Sequence, residues 1–291
     1  MESLVSTEWL AGELAAGDLR VVDASSHLPM AGRDARAEFE EAHIPGAVFM
    51  DLSSLVDPAS PVPAALPKPE MFASRMQKLG IGDGSRIVLY DDSDVKTSAR
   101  AWFMFTLYGA QHVAILDGGL GKWRAEGRPL ECDCKDYRER HFTAWQQDGK
   151  VRSKAEMIAN VTSGKDQVVD ARDAGRFSGE VPDFRPGVPS GHIPGSCNLP
   201  FYELYDRDGT FKSKADLAAI FNEAGIDLSQ PVTTTCGGGV TAACIAFALH
   251  LLGKDDDVAL YDGSWSEWAI DPETPKATGP GRKKREPAPQ P

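Results

Sequence analysis

Long apolar runs are missing from this 291-residue chain, and so is any surplus of positive charge. Even the most apolar stretch, "AACIAFALHLLG", falls well short of the ~20 residues that span a bilayer. The opening "MESLVSTEWLAGELAAGDLR" carries acids and no continuous apolar core, so no secretory leader and no membrane partner are expected. A formal net charge of −12 argues against non-specific binding to nucleic acid or to an anionic surface. Cysteine is sparse: Cys132, Cys134, Cys197, Cys236 and Cys244 are an odd, scattered set. Such a set suits a reducing, cytoplasmic setting better than a disulfide framework. The "CDC" at Cys132 and Cys134 lacks a second ligand pair at a recognisable spacing, so no metal is expected, nor any other cofactor.

The composition that is present, 42% hydrophobic and 25% charged, is that of a globular chain long enough for two domains. The sequence then says the same thing twice. "VVDASS" from Val21 returns as "VVDARD" from Val168, and "EAHIPGAVFMDL" around His43 returns as "SGHIPGSCNLPF" around His192. "LDGGLGKW" ending at Trp123 matches "YDGSWSEW" ending at Trp268. The offsets are 147 for Asp23 to Asp170, 149 for His43 to His192, and 145 for both Asp91 to Cys236 and Trp123 to Trp268. Near-constant spacing in the same order indicates a duplicated domain.

In the second copy "QVVDA", "CNLP", "PVTTT" and "VALYD" read as buried strands. "SKADLAAIFNEAG" and "TAACIAFALHLLG" read as helices closed by glycine. Buried strands alternating with helices predict an α/β fold, a parallel sheet covered on both faces, in each copy. The expected division is a first domain over 1–127, a polar linker over 128–150, a second domain over 151–275 and a loose basic tail over 276–291. In that tail Lys276, Arg282, Lys283, Lys284 and Arg285 stand against Glu286 alone. A targeting or RNA-binding use of "RKKR" is the lesser alternative.

The copies differ where chemistry is expected. "TTTCGGGVTA" places Cys236 at the end of a strand and the start of a helix, whereas the first copy has Asp91 there, with no thiol and no glycine run. In parallel α/β sheets, ligands bind beyond the carboxyl ends of the strands. Gly237, Gly238 and Gly239 remove the Cβ atoms that would stop the backbone from curling round the sulfur, with Val240 and Thr241 completing the loop. A ring of amides beside a helix N-terminus favours a negative charge at its centre, which predicts a thiolate able to attack sulfur. From the loop alone, a buried structural cysteine is the competing reading, and Cys197 and Cys244 fit that description.

The loop "CGGGVTA" resembles the active loop of the rhodanese-type sulfurtransferases, especially their two-domain 3-mercaptopyruvate branch. "GRDARAEFEEAHIPGAVFMDL", "SARAWFMF", "LDGG", "DARDAGRF", "RPGVPSGHIPGSCNLPF" and "YDGSWSEW" fit the same pattern in order, over nearly the whole chain. The resemblance implies tandem rhodanese-like domains, the first without a catalytic cysteine. It implies that Cys236 takes sulfane sulfur from 3-mercaptopyruvate as a persulfide and passes it to a thiol, thioredoxin or cyanide. It also implies that Arg176 and Arg185 bind the substrate's carboxylate and keto oxygen, and that Asp34 and His43 assist proton movement. Without the resemblance, either arginine reads as a member of a surface ion pair. Because "HIPG" recurs at His192, both histidines also read as turn anchors.

One position departs from the pattern. Gly238 stands where the branch usually has Ser or Thr, so a relay through that hydroxyl is closed to this chain. The glycine loop supplies no side-chain cation of the kind thiosulfate-specific relatives carry. That favours mercaptopyruvate as donor, with thiosulfate second. A phosphatase-type cysteine loop needs Arg six residues after the nucleophile, where this chain has Ala242, and that alternative fails. A persulfide carrier with little turnover remains the non-catalytic alternative.

Overall fold

The computed structural model describes residues 1–133 and 135–281. The described residues divide into two compact units, one of 1–148 with 205–211 and the other of 149–204 with those from 212 onward. In the first unit, β1 (Leu4–Val5), α1 (Thr7–Glu13), β2 (Leu19–Asp23), α2 (Ala35–Glu41) and β3 (Val48–Phe49) are followed by α3 (Pro69–Lys78) and β4 (Arg86–Tyr90). Then come α4 (Thr97–Leu107), β5 (Val113–Leu116) and α5 (Gly119–Ala125). The second unit begins with β6 (Val151–Arg152), α6 (Lys154–Ser163), β7 (Gln167–Asp170), α7 (Ala174–Ser178) and β8 (Cys197–Asn198). It ends with α8 (Lys214–Glu223), β9 (Val232–Thr235), α9 (Ala242–Leu251), β10 (Val258–Tyr261) and α10 (Ser264–Trp268).

Each unit holds one five-stranded, all-parallel sheet with the same strand order, β1-β5-β4-β2-β3 in the first and β6-β10-β9-β7-β8 in the second. The strands β2, β7, β9 and β10 are buried along their whole length, because both sheet faces are covered and no polar alternation is needed. The helix α9 is buried from Ala242 to Leu249, which explains its nearly uninterrupted apolar sequence. The duplication extends to single hydrogen bonds. Ala24 N donates to Tyr90 O at 2.8 Å as Ala171 N does to Thr235 O at 2.9 Å. Leu120 N donates to Asp91 O at 3.1 Å as Trp265 N does to Cys236 O at 3.0 Å.

The polar stretch expected as a linker is strapped onto the first unit as far as residue 148. Glu131 exchanges backbone hydrogen bonds with His43, the Tyr137 hydroxyl donates to Gly46 O, and the Phe142 ring packs on Phe72 and Phe105. Residues 205–211 also belong to the first unit, where the Phe211 amide donates to Asp117 at 2.8 Å and Asp208 pairs with Lys122. Part of the expected tail is held as well. Ala277 and His192 exchange backbone hydrogen bonds, and Gly279 N donates to Ser178 O, so the loose character read from Gly, Pro and charge does not extend to 276–281. Cys134 and residues 282–291, including "RKKR", lie outside the described residues.

Candidate active site

The second unit's sheet delivers Cys236 from the end of β9, the middle strand of the five, to the loop that opens α9. The loop is pinned from two sides. The Cys236 amide donates to Ser264 Oγ at 3.2 Å, and its carbonyl accepts from Trp265 N at 3.0 Å. The Gly237 carbonyl accepts from Ser266 N at 2.9 Å and from Arg185 Nη1 at 2.6 Å. Glycine has a definite reason at two of the three positions. A Cβ on Gly237 would stand 3.0 Å from Arg185 Nη2, and Gly239 has φ +78°. At Gly238 the nearest neighbour of such a Cβ is Ser266 Oγ at 3.8 Å, so a side chain fits there.

Cys236 is 2% exposed, a more closed seat than an open strand edge suggests. Gly237 and Gly238 beside it are half-buried and have no side chains to block approach. The amides of Gly237, Gly238, Val240 and Thr241 donate to no protein acceptor among the described residues, which leaves them available to an anion at this loop. The first unit shows what such a loop holds. At the position equivalent to Cys236, the buried Asp91 carboxylate accepts from Ser93 N at 3.2 Å and Thr97 N at 2.9 Å. That strand end is filled by the chain's own carboxyl group, which burial pushes above its ordinary value.

Arg185 is mounted rigidly. Its Nε and Nη2 bind Asp183 at 2.8 and 2.9 Å while Nη1 reaches the Gly237 carbonyl. Burial pushes the Asp183 carboxyl up, but hydrogen bonds from the Arg185 side chain and amide outweigh it and leave it below its ordinary value. Arg176 donates through Nε to Asp173, which also caps α7, and its Nη atoms have no protein partner among the described residues. Each guanidinium lies over the ring of Phe184, at 5.1 Å for Arg176 and 5.3 Å for Arg185, and Phe184 is 45% exposed. Both arginines are therefore ion-pair members, as the residues alone suggested, and Arg185 is in addition bonded to the cysteine loop.

Asp34 and His43 stand in the first unit. Asp34 is exposed and caps α2, its Oδ1 accepting from the amides of Arg36 and Ala37. His43 is fully buried, stacked on Phe39 at 4.0 Å, with Nδ1 bonded to Phe39 O. His192 repeats this fixture on Phe177 at 3.9 Å, with Nδ1 bonded to Phe177 O. Two copies of one stacked, backbone-bonded ring support the anchoring reading of both histidines.

The residue that sequence reasoning passed over is Arg172. It is buried, with Nε and Nη2 on Asp170 at 3.0 and 2.6 Å, Nη2 also on Gly191 O at 2.7 Å, and its guanidinium 4.7 Å from the Trp265 ring centre. Its signal was present in "VVDASS" against "VVDARD", where Ser25 of the first copy becomes Arg172 in the second.

The model of the rhodanese-like domain matches residues 6–126 and 153–271. The chain belongs to the rhodanese family. It is 41% identical to the human 3-mercaptopyruvate sulfurtransferase over 272 residues, 91% of either chain. It is 43% identical to the thiosulfate sulfurtransferase of Gallus gallus over 273 residues, 91% of this chain and 93% of that one. Among solved structures it resembles SseA of Escherichia coli, described among the 3-mercaptopyruvate sulfotransferases. That match has a TM-score of 0.83 and 36% identity, covering 92% of this chain and all of that one. It also resembles Tum1 of Saccharomyces cerevisiae, at TM-score 0.87 and 30% identity, with 95% and 98% covered. No helix among the described residues is long and apolar enough to cross a membrane.

Proposed function

We propose that this rhodanese-family chain is a sulfurtransferase that carries sulfur from 3-mercaptopyruvate, through a persulfide on Cys236, to an acceptor thiol, thioredoxin or cyanide. The observation that carries the reading is Arg185, clamped by Asp183 and seated on the carbonyl of Gly237, next to the single equipped cysteine loop. A planar guanidinium held this way suits a carboxylate, and Arg176, which shares the Phe184 ring with it, is the second fork.

In the first half-reaction the Cys236 thiolate attacks the donor sulfur. The new S–S bond forms as the donor's C–S bond breaks, and the electron pair of that bond stays on carbon as the enolate of pyruvate. The sulfhydryl proton of the donor ends on that carbon, leaving pyruvate and a Cys236 persulfide anion. Arg176 and Arg185 face the carboxylate and the oxygen on which enolate charge develops. In the second half-reaction the acceptor attacks the outer sulfur, and the S–S electron pair returns to Cys236. Because Gly238 has no hydroxyl, the loop's stabilisation of the sulfur anion rests on main-chain amides. Asp34 and His43 enter this reading only through their match to the family pattern. The four described cysteines are all free thiols, which supports a reducing, cytoplasmic site for this chemistry.

The glycine loop carries no cation, and each nearby arginine is matched by an aspartate, which favours a donor with one full negative charge over a dianion. With cyanide as acceptor, steady-state thiocyanate formation should give a kcat/KM for 3-mercaptopyruvate above that for thiosulfate, and Cys236→Ser should abolish turnover of both. Equal or reversed donor preference would move the assignment to thiosulfate. Turnover no faster than in Cys236→Ser would leave a carrier.

A further inference from the structure

Three differences between the two units coincide. Where the second has Cys236, Arg172 and Trp265, the first has Asp91, Ser25 and Leu120, at offsets of 145, 147 and 145. The aspartate before the second of these positions is the same in both, and it accepts the same backbone bond: Ser25 N to Asp23 Oδ1 at 2.8 Å, and Arg172 N to Asp170 Oδ1 at 3.0 Å. The backbone therefore needs no arginine at 172. In the first unit Ser25 Oγ accepts from the amide of Asp92, and its hydroxyl donates to the Asp23 carboxyl.

The arginine that replaces it is 2% exposed, and its Nη1 is one of the few buried side-chain polar atoms without a partner among the described residues. Leaving a guanidinium N–H unpaired in the interior is costly, and such an atom calls for an explanation. The geometry supplies one. Arg172 lies over the ring of Trp265, and the backbone amide of Trp265 holds the carbonyl of Cys236. Asp170 is the register partner of Thr235, the residue before the cysteine. We propose that Arg172 is the buried counter-charge of the Cys236 sulfur anion, with Nη1 the donor that the thiolate or persulfide completes, and that Asp170 and Trp265 hold it in that role. This deepens the function proposed above and rests on it. Burial works against the charge on Arg172, but Asp170 outweighs it, and a charged Cys236 adds in the same direction, so the guanidinium is held firmly protonated.

Other charged groups near this corner are Asp183, Arg185 and Arg176 with Asp173 from the loop and helix after β7, His192, and Glu267 on α10, which accepts from Tyr261. All of these are the same in parent and variant, so the difference between their pH profiles reads Arg172 alone. The rate of Cys236 alkylation by iodoacetamide is followed against pH, site by site by mass spectrometry, with no sulfur donor present. Arg172→Gln should raise the pH of half-maximal rate by about one unit, a roughly tenfold slower reaction well below the midpoint. Arg172→Lys should recover part of that shift. If Arg172→Gln does not fold by circular dichroism, Asp170→Asn/Arg172→Gln is compared with Asp170→Asn alone, since the double variant leaves no unpaired buried charge. An unchanged midpoint in the folded variant overturns the inference; if separate steady-state kinetics of that variant then show only a raised KM for the donor, Arg172 is a substrate-binding group instead. Because no donor is present, failure here is separate from failure of the sulfur-transfer reading, which shows as no turnover in the wild type.

Discussion

At the scale of residues, the loop after Cys236 separates two kinds of glycine. At Gly237 a side chain would crowd the Arg185 guanidinium, whereas Gly238 has room for one. Gly237→Ala should push the guanidinium off the loop and lower kcat/KM for mercaptopyruvate about tenfold, the ~1.4 kcal/mol of one charge-assisted hydrogen bond. Gly238→Ser should leave the melting temperature unchanged and kcat/KM at or above that of the parent. Steady-state kinetics of the pair check this, and equal losses in both would contradict it. Cys236 and its glycines were legible because a duplicated sequence displays the one place where its copies disagree. Arg172 sat in the same comparison, but Ser25 against Arg172 reads as a surface change until the fold shows the guanidinium buried on Trp265.

At the scale of elements, strands and helices of the second unit follow the apolar pattern closely. What the pattern could not reveal is the strap over 129–147. Its attachment uses backbone pairing at Glu131 and isolated aromatic contacts from Tyr137 and Phe142, which leave no periodicity. The turn histidines are a second device of this kind. Burial pushes the His192 imidazole below its ordinary value, with the hydrogen bond to the Phe177 carbonyl pulling the other way. The unfolded chain therefore takes the proton first. The stability contributed by the neutral ring is complete above about pH 6.5 and is lost as pH falls below it. Melting temperatures at pH 7.5 and pH 5.5 should differ less in His192→Asn than in the parent, and equal differences would contradict the assignment.

At the scale of the whole molecule, one duplicated α/β unit keeps its strand-end loop filled by Asp91, and the other presents a cysteine there. The duplication was legible from offsets alone. The membership of 205–211 in the first unit was not, because it depends on Asp117 and Lys122 meeting residues about ninety positions away in sequence. Equipping only one unit makes the central claim a stoichiometric one, which intact-protein mass spectrometry tests after brief exposure to 3-mercaptopyruvate and removal of excess donor. The parent chain should gain the mass of one sulfur atom, lose it on addition of cyanide, and gain nothing when Cys236 is replaced by serine. A chain that takes up no sulfur, or a Cys236→Ser variant that takes up as much as the parent, would contradict the account.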